Sequence, residues 1–326
     1  MDDRELLQRL AAGPATGDAL AAAAGLTRAA VWKRIEGLRA AGIDIQGSPG
    51  RGYALACPLD LLDPAAIHPG IAPAARELLA GLEVAWTVDS TNTRLLAAPA
   101  PAQGTQVLLA ERQTGGRGRR GRSWVSPLAA HLYLSLARQF SGGLARLAGL
   151  SLVAGIAATE ALRELGLEDV RLKWPNDLVV RDGDGLRKLG GLLVEGGGEH
   201  AGPVRAVLGI GLNVRMPAAV AAEIEQPWCD LSGLGVTLAR NAVAAALLSH
   251  LLPALERFDR DGLDAFLPRY AALDALSGRR VRLHLAGGEH DAIAMGLAED
   301  GALRVRFGDG AIRVLHSGEV SVRMDA

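Results

Sequence analysis

Residues 112–122 hold five arginines and four glycines. All but Arg112 lie within Gln113-Thr114-Gly115-Gly116-Arg117-Gly118-Arg119-Arg120-Gly121-Arg122-Ser123-Trp124. Glycines let backbone N–H groups approach a ligand closely, and guanidinium forks match phosphate or carboxylate oxygens two at a time. Like charges this dense repel one another unless an anion offsets them, which weighs against a merely exposed charged hairpin. The stretch reads as a loop that wraps an anion. Three other groups of residues could work with it. Asp89-Ser90-Thr91-Asn92 is a polar cluster able to cap a helix. Lys173-Trp174-Pro175-Asn176-Asp177 sets a cation and a carboxylate about a tight turn, and Lys188 opens the apolar run that ends at Glu195.

The segment Gly116–Gly121 satisfies the G-x-G-x-x-G spacing of dinucleotide-binding loops. That chemistry needs a helix starting at the loop and an acidic residue about 20 positions on. Here Ser123-Trp124-Val125-Ser126-Pro127 follows, extended or turn-like, and residues 136–146 contain no Asp or Glu. The companion motifs of a kinase glycine loop are missing too.

Several elements must position these groups. Val84, Trp86 and Val88 alternate as a strand that delivers Ser90–Asn92. Gln106–Glu111 is a strand that delivers the Gly/Arg loop, and Leu132–Leu136 is a third. Leu144–Gly166 reads as a long helix buried on more than one side. Val170–Trp174 and Leu178–Arg181 form a hairpin around Pro175-Asn176-Asp177. Asp182–Gly185 turns into Lys188–Glu195, and Val204–Val214 adds a strand. Short β connections suggest a mostly antiparallel or mixed α+β sheet rather than repeated βαβ units. Residues 56–82 read as a connector with a short helix. After residue 272, Val281/Leu283/Leu285, Leu303/Val305/Phe307 and Ile312/Val314 alternate between glycine turns such as 286–288, as in a small SH3-like β-barrel.

Residues 1–55 read as a DNA-binding unit. Leu6, Leu7 and Leu10 form one stripe, and Thr16 can cap a helix with Ala19, Leu20 and Ala23 inward. Gly25 breaks that helix, and Thr27 can cap a third in which Val31, Ile35 and Leu38 face inward. Arg28, Trp32, Lys33, Glu36 and Arg39 then line much of its other side. A hairpin follows, turning at 47–52 with Arg51 at its tip, so the whole is a winged helix-turn-helix. Residues 28–55 carry five basic and two acidic residues. Trp32 could pack on a sugar or a thymine methyl, or against a neighbouring element.

Composition sets the frame. Lys+Arg 35 against Asp+Glu 36 leaves no global attraction to polyanions or membranes. The cysteines, Cys57 and Cys229, lack metal-type spacing and read as free thiols in a reducing compartment. No apolar run is long enough to span a bilayer and no signal-peptide core opens the chain, so a cytoplasmic protein is expected.

In order and approximate spacing, the G-R-G-R-x-G-R-x-W loop, the K-W-P-N-D hairpin and the K-L-G-G-L-L-V-E strand resemble the biotin protein ligases. The winged unit extends the resemblance to the bifunctional subtype that also represses the biotin operon. It covers nearly the whole chain. It implies an α+β protein with a winged helix-turn-helix over 1–58, a central mixed α/β ligase domain (class II synthetase-like) over 59–272, and an SH3-like β-barrel over 273–326. It also implies a two-step reaction: biotin and ATP give biotinyl-5′-AMP, and a lysine of a biotin carboxyl carrier protein then displaces AMP. Ser90, Thr91, Asn92, Gln113, Arg117, Gly118 and Arg119 match biotin-side positions. Lys188 matches the lysine between carboxylate and α-phosphate, making Lys188 and Arg119 the catalytic candidates. Arg119, Arg122, Lys173, Asn176, Asp177, Asn213 and Trp228 are the adenylate-side candidates, and Asp177 could hold Mg²⁺ or fix an arginine. Trp124 and Gly190–Val194 could line an apolar slot. Arg28, Trp32, Lys33, Arg39 and Arg51 are the DNA-side candidates. The implied partners are the carrier protein, operator DNA and a second copy of the chain once biotinyl-AMP is bound, with no membrane. A ligase without repressor activity, and a lipoate-ligase-like acyl-adenylate enzyme, are the alternatives.

Overall fold

The structure, a computed structural model, describes all residues except 1, 49, 142, 144–146, 148, 199–203, 223, 286–287, 317–320 and 325–326. Parts of the expected 47–52 and 286–288 turns, and the start of the expected 144–166 helix, lie outside the described residues.

Local capping sets the first three helices. Asp2 and Glu5 accept each other's backbone N–H at 2.8 Å and open α1 (Asp3–Ala12), which buries Leu6, Leu7 and Leu10. Thr16 caps α2 (Gly17–Ala24) and Thr27 caps α3 (Arg28–Ala40), each hydroxyl accepting an N–H at 3.2 Å. Val31, Ile35 and Leu38 of α3 are buried, as their spacing requires. On α2 the inward residues are Leu20 and Ala21, whereas Ala19 and Ala23 are exposed. A short alanine-rich helix has no directional pattern of its own, so Leu20 decides its roll. The hairpin of β1 (Ile45–Ser48) and β2 (Gly52–Leu55) is widened by Ala15, which bonds in both directions to Tyr53.

The body begins with α4 (Pro64–Ile67) and α5 (Pro73–Arg76), followed by β3 (Leu79–Val88), α6 (Thr91–Ala97) and β4 (Thr105–Gln113). Strand β3 therefore starts inside the stretch read as connector. Next come β5 (Leu132–Phe140), α7 (Leu150–Glu164), β6 (Val170–Lys173), β7 (Asp177–Asp182), β8 (Gly185–Gly198) and β9 (Val204–Leu212). After α8 (Ala218–Ala221), the long α9 (Arg240–Asp261) and α10 (Leu267–Leu273) close the body. One sheet in the order β3-β4-β5-β9-β8-β7-β6 results, with β3 and β4 parallel and every other pair antiparallel. The two-residue period of β4 separates its faces. Val107 and Leu109 join the main core with α7 and α9, while Leu108 and Ala110 join a smaller cluster with Leu95 of α6. That second face holds the site.

The chain finishes in β10 (Arg280–Leu285), β11 (Gly288–Leu297), β12 (Leu303–Phe307), β13 (Ile312–Leu315) and β14 (Ser321–Met324), an antiparallel sheet ordered β13-β12-β11-β10-β14. Among the described residues β13 and β14 do not pair, so no closed barrel forms. Ile312 and Val314, whose alternation suited a small barrel, are exposed, and Leu315 is the buried residue of β13. An edge strand needs only one anchor, and Arg313 folds over the Phe307 ring.

Candidate active site

A cavity of about 940 Å³ opens on the α6 face of the large sheet. It brings together Ser90, Thr91, Asn92, Gln113, Arg117, Gly118, Arg119, Arg122, Lys173, Asn176, Asp177 and Lys188, which come from four separate stretches of sequence. Ser90 caps α6 through the Thr93 N–H, so the helix start is set at the cavity wall. Gln113 Oε1 accepts the Thr91 N–H at 2.8 Å and lies 3.1 Å from the Thr91 hydroxyl oxygen. Its Nε2 donates to Ser126 Oγ at 3.3 Å, which fixes which end of the amide faces which partner.

The Gly/Arg loop leaves β4, makes a 3₁₀ turn at Arg119–Gly121, and returns through a bridge between Arg117 and Ser123. No helix starts there, so the dinucleotide geometry is absent. Arg120 takes a left-handed conformation (φ 57°), which a side chain seldom adopts without a constraint. Arg119 Nη1 donates to Asn176 Oδ1 at 3.4 Å and so joins the loop to the β6–β7 hairpin. Burial, and then the charge of Arg120, lowers the Arg119 pKa from the usual arginine value, with Asp177 pulling the other way. A guanidinium so placed gains most from an arriving anion.

Lys188 reaches the cavity because of a β-bulge. Pairing of β7 with β8 shifts between Leu178↔Gly190 and Val179↔Lys188, which leaves Leu189 over. Leu189 is thereby buried and Lys188 moves to the open face, a displacement that strict alternation does not anticipate. Its Nζ lies 2.8 Å from Asp177 Oδ1 and 5.4 Å from the Trp124 ring centre. Gly191 and Gly211 make this packing possible. A Cβ on Gly191 would crowd Lys188 Nζ at 3.3 Å, and one on Gly211 would lie 2.7 Å from Trp124 Nε1. The indole lies where β9 has no side chain, forming an apolar wall beside a row of cations.

Two adenylate-side candidates fall elsewhere. Asn213 does not line the cavity; it donates to the Lys188 and Cys229 carbonyls at 3.4 and 3.0 Å. Trp228 is half-buried and off the cavity, its backbone bridged to that of Lys188, while Ile224–Pro227 supply that wall. Sequence reasoning missed Ser135, whose hydroxyl lies 2.7 Å from both Thr91 Oγ1 and Asn92 Oδ1 and is fully buried. A lone serine inside Leu132–Leu136 was the available signal. Val322 of β14 also lines the cavity, and Trp174 Nε1 donates to Gly301 O at 3.0 Å, so the C-terminal sheet completes the site.

On the winged unit, Trp32 is 56% exposed, and Arg28, Lys33 and Arg51 are exposed with it. Arg39 is committed inward, its guanidinium donating to Ile45 O (2.8 and 2.6 Å) and Glu36 (2.6 Å). It braces the hairpin against α3.

Known proteins share this arrangement. Residues 84–213 match the biotin/lipoate A/B protein ligase family, residues 3–54 an HTH domain, and residues 276–323 the biotin protein ligase C-terminal domain. The bifunctional ligase/repressor BirA of Salmonella typhimurium is 40% identical over 94% of this chain and 93% of its own length. The chain belongs to the biotin protein ligase family. A biotin–[acetyl-CoA-carboxylase] ligase of Mycobacterium tuberculosis is 34% identical over 73% of this chain and 88% of its own. The solved biotin protein ligase of Aquifex aeolicus, in complex with biotin and ATP, superposes with a TM-score of 0.62 at 29% identity. It covers 76% of this chain and is itself matched throughout. The family thus accounts for the ligase body, and the BirA relatives for the added N-terminal unit.

Proposed function

We infer that the protein is an ATP-dependent biotin protein ligase and a repressor of the biotin operon. One observation carries the ligase reading: a single cavity gathers the Ser90–Asn92 cluster, the Gly/Arg loop, the Lys173–Asp177 hairpin and Lys188. The reaction joins two anions, so cations must offset their repulsion and the charge that grows on phosphorus. Biotin's carboxylate oxygen attacks the α-phosphate and pyrophosphate leaves. The carrier lysine's amine then attacks the acyl carbon and AMP leaves. Lys188 is suited to bridge carboxylate and phosphate, Arg119 and Arg122 to hold phosphate oxygens, and Ser90, Thr91 and Gln113 to meet the ureido ring. Trp124 is suited to the apolar ring and chain of biotin.

Among the described residues no group of three His, Cys, Asp or Glu could hold a metal. Asp177 as a single carboxylate, together with substrate phosphates, fits the usual binding of Mg²⁺, which would enter with ATP and stabilise its phosphate charge. The boundaries 1–58, 59–272 and 273–326 suit this reading, as do a class II synthetase-like body and an SH3-like C-terminal unit. Among the described residues no helix is long and apolar enough to cross a membrane; the reading itself is of a cytoplasmic enzyme. The repressor role adds a homodimer formed when biotinyl-AMP fills the cavity, with Arg28, Trp32, Lys33 and Arg51 toward operator DNA.

Incubating the chain with biotin, Mg-ATP and a carrier domain should add one biotinyl mass to the carrier. An unmodified carrier beside folded protein would refute the ligase reading. A gel shift on its own biotin-operon promoter should require biotin and ATP together, and no shift would leave a ligase without repressor activity.

A further inference from the structure

Glu195 has one carboxylate oxygen on each side of the site without lining the cavity itself. Its Oε2 accepts Asn92 Nδ2–H at 2.8 Å, and its Oε1 lies 3.6 Å from Arg117 Nη2. Asn92 is only 4% exposed, and its other amide contact is the Leu193 carbonyl at 3.3 Å. Its donors therefore serve the protein, leaving Asn92 Oδ1 to face Ser135 at 2.7 Å. Ser135 Oγ in turn accepts the Thr91 hydroxyl at 2.7 Å, and the Thr91 backbone N–H donates to Gln113 Oε1 at 2.8 Å. A carboxylate can only accept hydrogen bonds, so Glu195 fixes the end of the Asn92 amide that must turn toward Ser135. The orientation propagates from Asn92 through Ser135 to the Thr91 hydroxyl, and Asn92, Thr91 and Gln113 line the polar end of the cavity. On its other side Glu195 faces Arg117, which also donates to Thr93 Oγ1 at 2.8 Å and so ties the Gly/Arg loop to α6.

We propose that Glu195 is a positioning residue with two separable tasks: it sets the hydrogen-bond polarity of the biotin-ring pocket through Asn92, and it restrains the Gly/Arg loop through Arg117. This rests on the ligase reading above. The two tasks differ in strength. The Asn92 bond is short, partly buried and charge-assisted, whereas the Arg117 pair is longer and about half exposed, where solvent screening leaves little.

Two substitutions divide the tasks. Glu195→Gln keeps an acceptor for Asn92 but removes the charge facing Arg117; Glu195→Ala removes both. In the full chain with biotin and Mg-ATP, Glu195→Ala should raise the KM for biotin about tenfold, the loss of a charge-assisted hydrogen bond, with a smaller fall in kcat. Glu195→Gln should restore most of that KM yet still let biotinyl-AMP escape about two- to fivefold faster, as expected of a screened ion pair. In an Arg117→Ala background the Gln substitution should add nothing to escape. Glu195→Ala with wild-type KM overturns the first task, and additive escape rates overturn the second. If Glu195→Ala fails to fold, KM and escape in Glu195→Gln and its Arg117→Ala double variant decide alone: a Gln variant as impaired in KM and kcat as it is in thermal stability overturns the proposal. Wild-type protein that makes no adenylate would refute the ligase reading, and the proposal with it. Active wild type with unaffected variants refutes only the role of Glu195.

Discussion

In the proposed reaction, Lys188 is the residue on which the chemistry turns. It holds Asp177 at 2.8 Å, and an arriving carboxylate and phosphate would compete for the same ammonium. Lys188→Ala should cut adenylate formation about 10²- to 10³-fold, the usual cost of removing one preorganised charge stabiliser, without loss of fold. Single-turnover measurement of biotinyl-AMP checks this, and an undiminished rate removes Lys188 from the mechanism. Arg119→Gly removes a half-buried guanidinium and its bond to Asn176, so the adenylate should escape faster. A trap assay that finds wild-type retention would refute the role. Gly211→Ala tests the apolar wall, because the new methyl would occupy space held by the Trp124 indole. Overpacking of this kind costs about 1–3 kcal/mol, so weaker biotin binding should accompany a lower Tm. Unchanged calorimetric affinity would mean the indole does not border the ligand. Cys229, whose thiol burial pushes up to about 11, is a core residue off the cavity.

Elements show how much of this was legible in the sequence and what was not. Periodicity placed the strands on either side of the Gly/Arg loop and the first helix, and capping threonines placed α2 and α3, because both signals are local. The displacement of Lys188 was hidden, since a one-residue bulge changes which face a side chain meets without changing composition. The packing role of Asn213 was hidden too, being fixed by carbonyls from β8 and from the segment after Pro227. Ile312 and Val314 had the alternation of core residues, yet an edge strand leaves them in water. A further relation spans elements far apart in sequence. Four residues beyond Trp124, Leu128 N–H donates to Ala41 O at 3.0 Å, and its side chain joins the core of the winged unit. The segment leaving the Gly/Arg loop is thus part of the support for the end of α3. Leu128→Ala should cost about 2–5 kcal/mol and should weaken operator binding more than adenylate formation. Equal losses in both assays would show that the contact is general packing.

At the scale of the molecule, one buried polar junction joins the DNA-binding unit's connector to the ligase body. Glu111 and Arg240, 1% and 3% exposed, pair at 2.8 Å, while Glu111 also accepts the Leu62 N–H and Arg240 donates to Asp60 O. Arg240 further donates to His131 O at 3.1 Å. His131 is fully buried, and its Nδ1 accepts the Val214 N–H at 3.0 Å, a bond only a ring unprotonated at Nδ1 can accept. Burial, against a weaker opposing backbone hydrogen bond and with help from the Arg240 charge, lowers its pKa to about 3. An unfolded histidine titrates near 6.5, so between about 3 and 6.5 the unfolded chain binds the extra proton. Stability from this group is therefore complete above about 6.5 and falls as pH drops, by about 1.4 kcal/mol per pH unit until the folded pKa is reached. His131→Asn can keep an acceptor for Val214 while removing the proton site. Urea unfolding from pH 7.5 to 5 should therefore show a smaller loss of stability in the variant than in wild type, even if the variant is weaker at pH 7.5. Parallel curves would show that His131 is not the group that titrates. Because the junction grips residues 60–62 as well as β4, acid should loosen the DNA-binding unit and the ligase body together, in one transition rather than two.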